Sequence, residues 1–410
     1  MELDALETSP VLVGVLGAGK WSNVYYQMEG SSVFTNYATY ALKKILEEKG
    51  ICFDEVLLFG TSGSNWNLAN DLIKSYRYII IPEGKDESEL KDTYMVFFKE
   101  LSLCKSIVLD LTHAFRHLSQ LLLIIAYYLD LLGKTKIGGI YYALLPEPRE
   151  GATANIVNLK PLLTSLRTLF NVECFRETLK VSRLDLILND LNLYARNAPN
   201  IDDKRLFSSV GSVLNELKTL GLYVSVNYTP KIVNKSRNIS ERAKQLIETV
   251  EKVYPYLAPT LGVLIEETGE LASFDNNPLW LAQLQLARKC LQLGKYTSAI
   301  INLREGFLTY ACHELSDCKK KSFCKARTNC RDYKPREKAS EHLREIRDNK
   351  KENKLLREYA KTFDKIAQLR NKMVHGFMGR SDALRTNLEK KINKLLMEAE
   401  RIILGKPFKT

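Results

Sequence analysis

The sequence predicts an α/β domain followed by an all-α region. Between Val11 and about Leu162, short apolar runs rich in β-branched residues alternate with amphipathic stretches of helical length. After Leu162 this alternation fades, and the apolar residues recur mostly with the 3.6-residue spacing of helices. Strands that alternate with helices favour a mainly parallel sheet with helices on both faces. The two halves of the chain are therefore expected to fold differently.

Six strands and three helices are predicted in the first half. The expected strands are Val11 to Leu16, Glu55 to Phe59, Tyr78 to Ile81, Ser106 to Asp110, Ile137 to Leu144 and Asn155 to Leu159. The expected helices are Thr35 to Glu48, Lys85 to Leu101 and His117 to Leu132. In the second half, the residues from Tyr223 to Val233 favour a β-hairpin. The first half is thus predicted to be Rossmann-like, with a doubly wound sheet.

The composition is that of an ordinary globular protein with an affinity for polyanions. The chain has 410 residues, more than a single core usually supports, which predicts two or three domains. It carries 60 Lys and Arg against 48 Asp and Glu, a formal charge of +12. This balance favours nucleic acid or an acidic membrane surface as a partner.

The sequence predicts neither a membrane span nor a secretory signal. The longest apolar stretch, Leu121 to Leu132, is interrupted by Asp130 and is shorter than the roughly 20 residues that a spanning helix needs. The first residues, Met1 to Asp4, are acidic and lack the basic end of a signal peptide. We therefore expect a cytoplasmic protein with no membrane partner.

Three polar loops follow predicted strands that end at the same edge of the sheet. The first, Gly17 to Ser22, has the spacing of a phosphate-binding loop, but Trp21 stands where the Mg²⁺-binding Ser or Thr belongs. This substitution argues against an ATPase. The second loop, Gly60 to Asn65, and the third, Asp110 to Arg116, offer hydroxyls and a Thr-His pair expected to face solvent. Each loop alone could simply cap a helix, whereas three together favour a nucleotide site without a metal.

These loops resemble those of the CRISPR-associated Rossmann-fold (CARF) sensor domain. The resemblance is carried by Asp110-x-Thr112-His113 followed by Arg116, by the Leu16-Gly17-x-Gly19 turn and by the Gly60-Thr61 loop. It implies a domain that dimerises and binds a cyclic oligoadenylate, either the tetra-adenylate or the hexa-adenylate ring. It also implies that the pocket is lined by Gly17, Gly19, Thr61, Ser62, Asp110, Thr112 and His113.

A predicted helix from Thr362 to Met378 carries the candidate catalytic groups. Its apolar stripe comprises Phe363, Ile366, Ala367, Val374 and Phe377. Arg370 falls within this stripe, which is a costly place for a cation without a partner. Asn371 and His375 share a face, but Arg370 and His375 diverge by roughly 140° around the helix axis. Two copies packed across a dimer axis would gather all three residue types around one groove.

These residue types suit metal-independent RNA cleavage. Arginine stabilises the charge of a phosphorane, histidine exchanges a proton with the ribose 2′-hydroxyl, and asparagine orients either group. From the spacing alone, a structural interpretation is favoured instead. In that interpretation Arg370 pairs with Asp364 or Glu305, and His375 caps the helix before Gly376.

Arg370-Asn371-x-x-x-His375 resembles the signature of the HEPN ribonucleases, whose active site forms between two protomers. Placed after such a sensor domain, it resembles the accessory ribonucleases of type III CRISPR systems. The resemblance implies a sensor at residues 1–175, a helical linker at 176–280 and a nuclease at 281–410. It further implies an antiviral homodimer or higher homo-oligomer that cleaves single-stranded RNA, without a catalytic cofactor, when cyclic oligoadenylate binds.

Two alternatives stay open. The helical region could dock a partner without cutting RNA, which would make the chain a non-catalytic oligoadenylate sensor. The sensor could also degrade its own activator, with Thr112 and His113 as the residues to test.

The segment from Cys312 to Pro335 is expected to be an insertion between two helices. Its cysteines recur every six residues, at Cys312, Cys318, Cys324 and Cys330. Because tight CxxC pairs are absent, we rank no bound metal first, disulfides second and a zinc site with His313 third. Its lysines, Lys319 to Lys321 among them, are hypothesised to guide RNA.

Overall fold

The computed structural model describes residues 9–113, 115–144, 149–181, 184–312, 333–374 and 387–405, and an eight-stranded sheet organises the N-terminal part. The strands are β1 (Val11–Leu16), β2 (Val24–Met28), β3 (Ser31–Thr35), β4 (Glu55–Gly60), β5 (Arg77–Ile80), β6 (Ser106–Asp110), β7 (Lys136–Leu144) and β8 (Thr153–Asn158). Their order across the sheet is β3-β2-β8-β7-β6-β1-β4-β5. β2 pairs antiparallel with β3 and β7 with β8, and all other neighbours are parallel. The mainly parallel sheet is confirmed.

Helices cover both faces of this sheet. They are α1 (Ala38–Glu48) and α2 (Trp66–Leu72) on one face, and α3 (Glu87–Ser102) and α4 (Arg116–Leu131) on the other. Side chains of a strand alternate between faces, so Leu12 and Leu16 of β1 pack with α1 while Val13 and Val15 pack with α3 and α4. Because β1 is buried on both sides, it reads in the sequence as an unbroken apolar run. The doubly wound fold class is confirmed.

The hairpin of β2 and β3 was not predicted from the sequence. Its two strands are joined by Glu29 and Gly30, whose φ angles are 49° and 87°. Positive φ at both central residues matches a two-residue turn that follows the twist of the strands. Glycine adopts this conformation freely, but glutamate does so at a cost, so the dipeptide is a weak turn signal.

The remaining described segments are helical. They are α5 (Lys160–Thr178), α6 (Leu184–Asn197), α7 (Ile201–Ser225), α8 (Thr229–Val253), α9 (Ala258–Ser273), α10 (Leu279–Gln292), α11 (Tyr296–Tyr310), α12 (Tyr333–Asp348), α13 (Lys354–Val374) and α14 (Leu388–Leu404). The chain divides into two compact units, residues 1–167 with 189–207 and residues 168–188 with 208–410. The boundaries expected near residues 175 and 280 concern functional domains and stay predictions.

The hairpin predicted from Tyr223 to Val233 is wrong, because this segment is a helix–turn–helix. The amide of Tyr228 donates to the carbonyl of Tyr223 (2.9 Å), and the amide of Asn227 donates to that of Val224 (3.0 Å). With Asn227 at a φ of 55°, these bonds form a Schellman ending for α7. The β-prone residues are helical because Val224 belongs to the buried face of the helix.

None of the described helices is both long enough and apolar enough to cross a membrane.

A buried ion-pair network joins α4, α5 and α6 within the first unit. Arg167 Nε donates to Asp130 Oδ2 (2.9 Å), and its Nη1 donates to Asp190 Oδ2 (3.2 Å). Lys160 Nζ lies 3.2 Å from Asp190 Oδ1. All four side chains are buried, and their charges balance. Removing one member of such a network leaves the opposite charges uncompensated in a poorly solvated place.

We therefore expect Arg167→Met to destabilise the protein by about 3–5 kcal/mol in urea unfolding, since Asp130 loses the cation paired with it and Asp190 keeps only Lys160. Arg196→Met is the matched control, because Arg196 is exposed on α6, and should cost less than about 0.5 kcal/mol. Equal losses in the two variants would contradict this role of the network.

Candidate functional site

The loops after β1, β4 and β6 meet at the carboxyl edge of the sheet, where these three strands are neighbours. The amide of Asn65 donates to the carbonyl of Gly17 (3.0 Å), and Ser64 Oγ donates to that of Leu16 (2.6 Å). These bonds fix the second loop against the first. Ligands of open parallel sheets bind at this position.

Asp110 is the buried anchor of the third loop. Its Oδ2 accepts from Thr39 Oγ1 (2.6 Å), and its Oδ1 accepts from the amide and Oγ1 of Thr112 (3.0 and 2.5 Å). Burial raises the pKa of Asp110, and these hydrogen bonds partly oppose the rise. Because the carboxylate is 3% exposed, we assign it to holding the loop and not to contacting a ligand.

The hydroxyls at this edge are mostly committed to the fold. Thr112 Oγ1 gives its proton to Asp110 and accepts from the amide of Ala143 (3.0 Å). Ser64 Oγ gives its proton to Leu16 and accepts from the amide of Thr61 (2.8 Å), so the 3.3 Å contact with Thr61 Oγ1 leaves Thr61 as the donor. Of the predicted hydroxyl residues, Ser62 is the exposed one.

His113 is only partly exposed, less than the sequence predicted, because aromatic rings pack against it. Its ring centroid lies 4.0 Å from that of Trp21 and 5.7 Å from that of Tyr37. Its Nε2 lies 3.2 Å from Tyr26 Oη. Burial lowers the pKa of His113 from 6.5 to about 4, so the ring is neutral at pH 7. It can offer a ligand a hydrogen bond or a stacking face, but not a positive charge.

The two glycines of the first loop allow close packing at the same place. A Cβ atom at Gly17 would lie 2.4 Å from the carbonyl oxygen of His113, and one at Gly19 would lie 3.0 Å from the ring of Trp21. Trp21 was singled out in the sequence because it argues against an ATPase. The structure gives it a positive role, as the ring that packs on His113.

Two of the C-terminal candidate residues, Arg370 and Asn371, lie near the end of α13. Arg370 is half-buried, Asn371 is exposed, and Arg370 Nη1 donates to Asn371 Oδ1 (3.0 Å). His375, Gly376 and Phe377 lie outside the described residues. The buried face of α13 includes Tyr359, Phe363, Ile366 and Leu369, whereas Val374 is exposed, contrary to the predicted stripe.

The two carboxylates proposed as partners of Arg370 pair elsewhere. Asp364 pairs with Arg347 (3.0 Å), and Glu305 pairs with Arg304 (2.5 Å) and Arg336. In the described part of the chain no carboxylate lies within ion-pair distance of Arg370. Arg370 borders a cavity of about 680 Å³. The purely structural interpretation of Arg370 is therefore wrong for both carboxylates.

The remaining candidate groups are the possible metal ligands and the cysteines of the insertion. No group of three His, Cys, Asp or Glu that could hold a metal occurs among the described residues. Cys312 is buried, and the other three cysteines of the insertion lie outside the described ranges.

His113 should make folding stability depend on pH. Between pH 4 and 6.5 the unfolded chain binds more protons than the folded one, because burial lowers the pKa of this residue. Stability should thus fall by about 2 kcal/mol from pH 7 to pH 5 on account of His113 alone. In urea unfolding, His113→Gln should remove that part of the fall. The exposed His117 is the control, and His117→Gln should keep the wild-type dependence.

Gly17→Ala should destabilise the first loop by about 1–3 kcal/mol, because the new methyl group would collide with backbone. Thermal or urea unfolding measures the cost. Gly63→Ala is the matched control, since its Cβ would be 4.0 Å from Thr61 Oγ1, and it should leave stability unchanged or slightly higher. A neutral Gly17→Ala would contradict the close approach.

No protein-family model matches the sequence. A curated relative, the CRISPR-associated protein MJ1674 of Methanocaldococcus jannaschii, is 21% identical over 240 residues, which are 57% of this chain and 33% of that protein. The match thus spans about a third of the length of the relative. A solved chain of Enterococcus italicus Csm6, bound to cyclic hexa-2′-fluoro-hexa-dAMP, covers 97% of this chain and 93% of its own length, with 11% identity and a TM-score of 0.40. The chain is therefore similar to a protein named as CRISPR-associated.

Proposed function

We propose that the chain is an endoribonuclease of type III CRISPR antiviral defence, activated by cyclic oligoadenylate and acting on single-stranded RNA. The observation that carries the proposal is Arg370, a half-buried arginine beside a cavity with no carboxylate partner in the described ranges. A fold tolerates such a cation when a ligand supplies the opposite charge. The sequence relative named as CRISPR-associated supports the setting.

The proposed reaction needs only protein side chains. His375 would take the proton of the ribose 2′-hydroxyl, whose oxygen attacks the adjacent phosphorus and expels the 5′-oxygen of the next nucleotide. The departing 5′-oxygen would take up a proton from water. The products would be a 2′,3′-cyclic phosphate and a 5′-hydroxyl end. Arg370 would stabilise the added charge on the phosphorane, and Asn371 would orient the arginine to which it is already hydrogen-bonded.

The active site would be shared by two chains. Residues five positions apart, as Arg370 and His375 are, would diverge by about 140° on a single straight helix and so could not converge on one phosphate. A homodimer would place the arginine of one protomer near the histidine of the other. In this proposal residues 1–175 sense the activator, 176–280 link, 281–410 cut RNA, and the protein works in the cytoplasm.

The activator would bind at the carboxyl edge of the sheet. Since Asp110, Thr112 and Thr61 are engaged within the fold, its phosphates would be received by backbone amides of the loops at Gly17, Gly19 and Ser62. The neutral ring of His113 would pack on a base or a ribose. Either the tetra-adenylate or the hexa-adenylate ring would be the activator. RNA-cleavage assays run in parallel with the two rings decide between them.

Degradation of the activator by this same edge is less well supported. Thr112 Oγ1 has its proton bound to Asp110, and His113 is a weak base because burial lowers its pKa to about 4. Neither residue is therefore prepared to activate a 2′-hydroxyl at neutral pH.

Arg370→Ala should lower activator-dependent RNA cleavage by about 10²–10³-fold, because a charge-stabilising donor is lost. The assay is cleavage of an unstructured RNA in EDTA with each cyclic oligoadenylate in turn. Lys372→Ala is the matched control, since it removes a cation from the exposed side of the same helix, and it should keep most of the activity. Full activity of Arg370→Ala, or loss of wild-type activity in EDTA, would contradict the proposal.

A further inference from the structure

We infer that the cavity beside Arg370 is a subsite for one nucleotide of the RNA strand. In this subsite Arg344 and Arg370 bind phosphates, and Glu341 selects a base with an exocyclic amino group. The inference deepens the proposed function and rests on it for the identity of the ligand. It is argued from the charges and pairing of the residues that line the cavity.

The size of the cavity suits a nucleotide. Its volume is about 680 Å³, within the range of about 300–1,000 Å³ found for small-molecule sites. Its walls come from α11, α12 and α13, together with the first residues of α8 and α10. Arg370 reaches it from the end of α13, so the cavity adjoins the residue to which cleavage is assigned.

Two of the four lining arginines are structural. Arg304 and Arg336 both pair with Glu305, and Arg336 Nη1 also donates to Thr309 Oγ1 (3.0 Å). The guanidinium of Arg304 lies 5.7 Å from the ring centroid of Phe363. These contacts tie α11 to α12 and α13 and hold the walls in place.

The other two lining arginines are available for a ligand. Neither Arg344 nor Arg370 has a carboxylate within ion-pair distance in the ranges that the structure describes. Arg344 lies on α12 and Arg370 on α13, so they approach the cavity from different walls. A guanidinium binds phosphate through paired N–H groups, and two of them on separate walls could hold successive phosphates of one strand.

The same cavity is also lined by carboxylates, which a site that bound only phosphate would not need. Glu337 and Glu341 line it from α12, one helical turn apart, and neither forms an ion pair within the described residues. Glu341 precedes Arg344 by three positions and so shares its face. A carboxylate repels phosphate, but it accepts a hydrogen bond from the amino group of a base, such as N4 of cytosine.

Cytosine and uracil give a sharp comparison, because they differ at one position of the base. Cytosine carries an amino donor there, and uracil carries a carbonyl oxygen that a carboxylate repels. The subsite should therefore favour cytidine over uridine.

The first test is binding of 2′-O-methyl oligocytidine and oligouridine of equal length to the full chain, by fluorescence anisotropy at several salt concentrations. These ligands cannot be cleaved, since the attacking hydroxyl is blocked. Arg344→Gln should weaken oligocytidine binding about tenfold and reduce the salt slope by about 0.7. Lys338→Gln, an exposed cation lost from the same helix, should do neither. Equal effects of the two variants would overturn the subsite.

The second test is the ratio of the affinities for oligocytidine and oligouridine. A general change in the charge of the protein affects both affinities equally and leaves this ratio unchanged. The wild-type protein should prefer oligocytidine by about fivefold or more. Glu341→Gln should bring the ratio close to one, because an amide can also donate to uracil. Glu345→Gln is the control, since Glu345 contacts His342 (3.3 Å) outside the cavity, and should keep the ratio. An unchanged ratio in Glu341→Gln would refute the role in base selection.

Cleavage of unmodified RNA by the same preparations separates this inference from the proposed function. If the binding pattern holds and no RNA is cut under any condition, the subsite stands and the nuclease proposal fails. If RNA is cut but Arg344→Gln and Glu341→Gln behave like their controls, the nuclease proposal stands and the subsite fails.

Discussion

The buried carboxylate of Asp110 constrains everything around the edge of the sheet. A carboxylate at the end of a central strand must be satisfied inside the fold, because water does not reach it. Thr39 comes from α1 to meet it, and Gly14 on β1 leaves room, since a Cβ there would lie 3.0 Å from Thr39 Oγ1. Thr112 is drawn inward by the same carboxylate and also accepts the amide of Ala143 on β7.

Because Asp110 is hydrogen-bonded within the fold, the position of His113, the residue after Thr112, is also fixed. With Thr112 turned inward, the chain delivers His113 against Gly17, where a side chain would not fit, and under the ring of Trp21. The groups that hold the edge together are therefore hydrogen-bonded within the fold, and its loops also carry the exposed cations Lys20 and Arg116. In the proposed site an anionic ligand would meet backbone amides beside these cations, as helix starts and glycine-rich turns bind phosphates.

Much of the sheet could be predicted, because buried parallel strands must be continuously apolar. Val11–Leu16 follows this rule throughout and Ser106–Asp110 follows it in its three central residues, and both strands have the predicted bounds. The hairpin of β2 and β3 could not be predicted, since buried and exposed residues alternate along β2 and the turn contains a glutamate. The positions of the candidate residues followed from the topology, but their exposure did not. A Thr-His pair looks polar in a sequence, and only the packing of Trp21 and Tyr26 reveals that the histidine is partly covered.

The helical region illustrates the opposite limit of sequence reasoning. Spacing suggested that Arg370 had a carboxylate partner, and either Asp364 or Glu305 was suitably placed along the chain. Pairing is decided by competition, however, and Arg347 and Arg336 occupy those carboxylates from α12. The competition leaves cations of two kinds around one cavity. Those that are paired hold helices together, and those that form no ion pair among the described residues are the ones we propose to bind a ligand, a division that only the three-dimensional arrangement can establish.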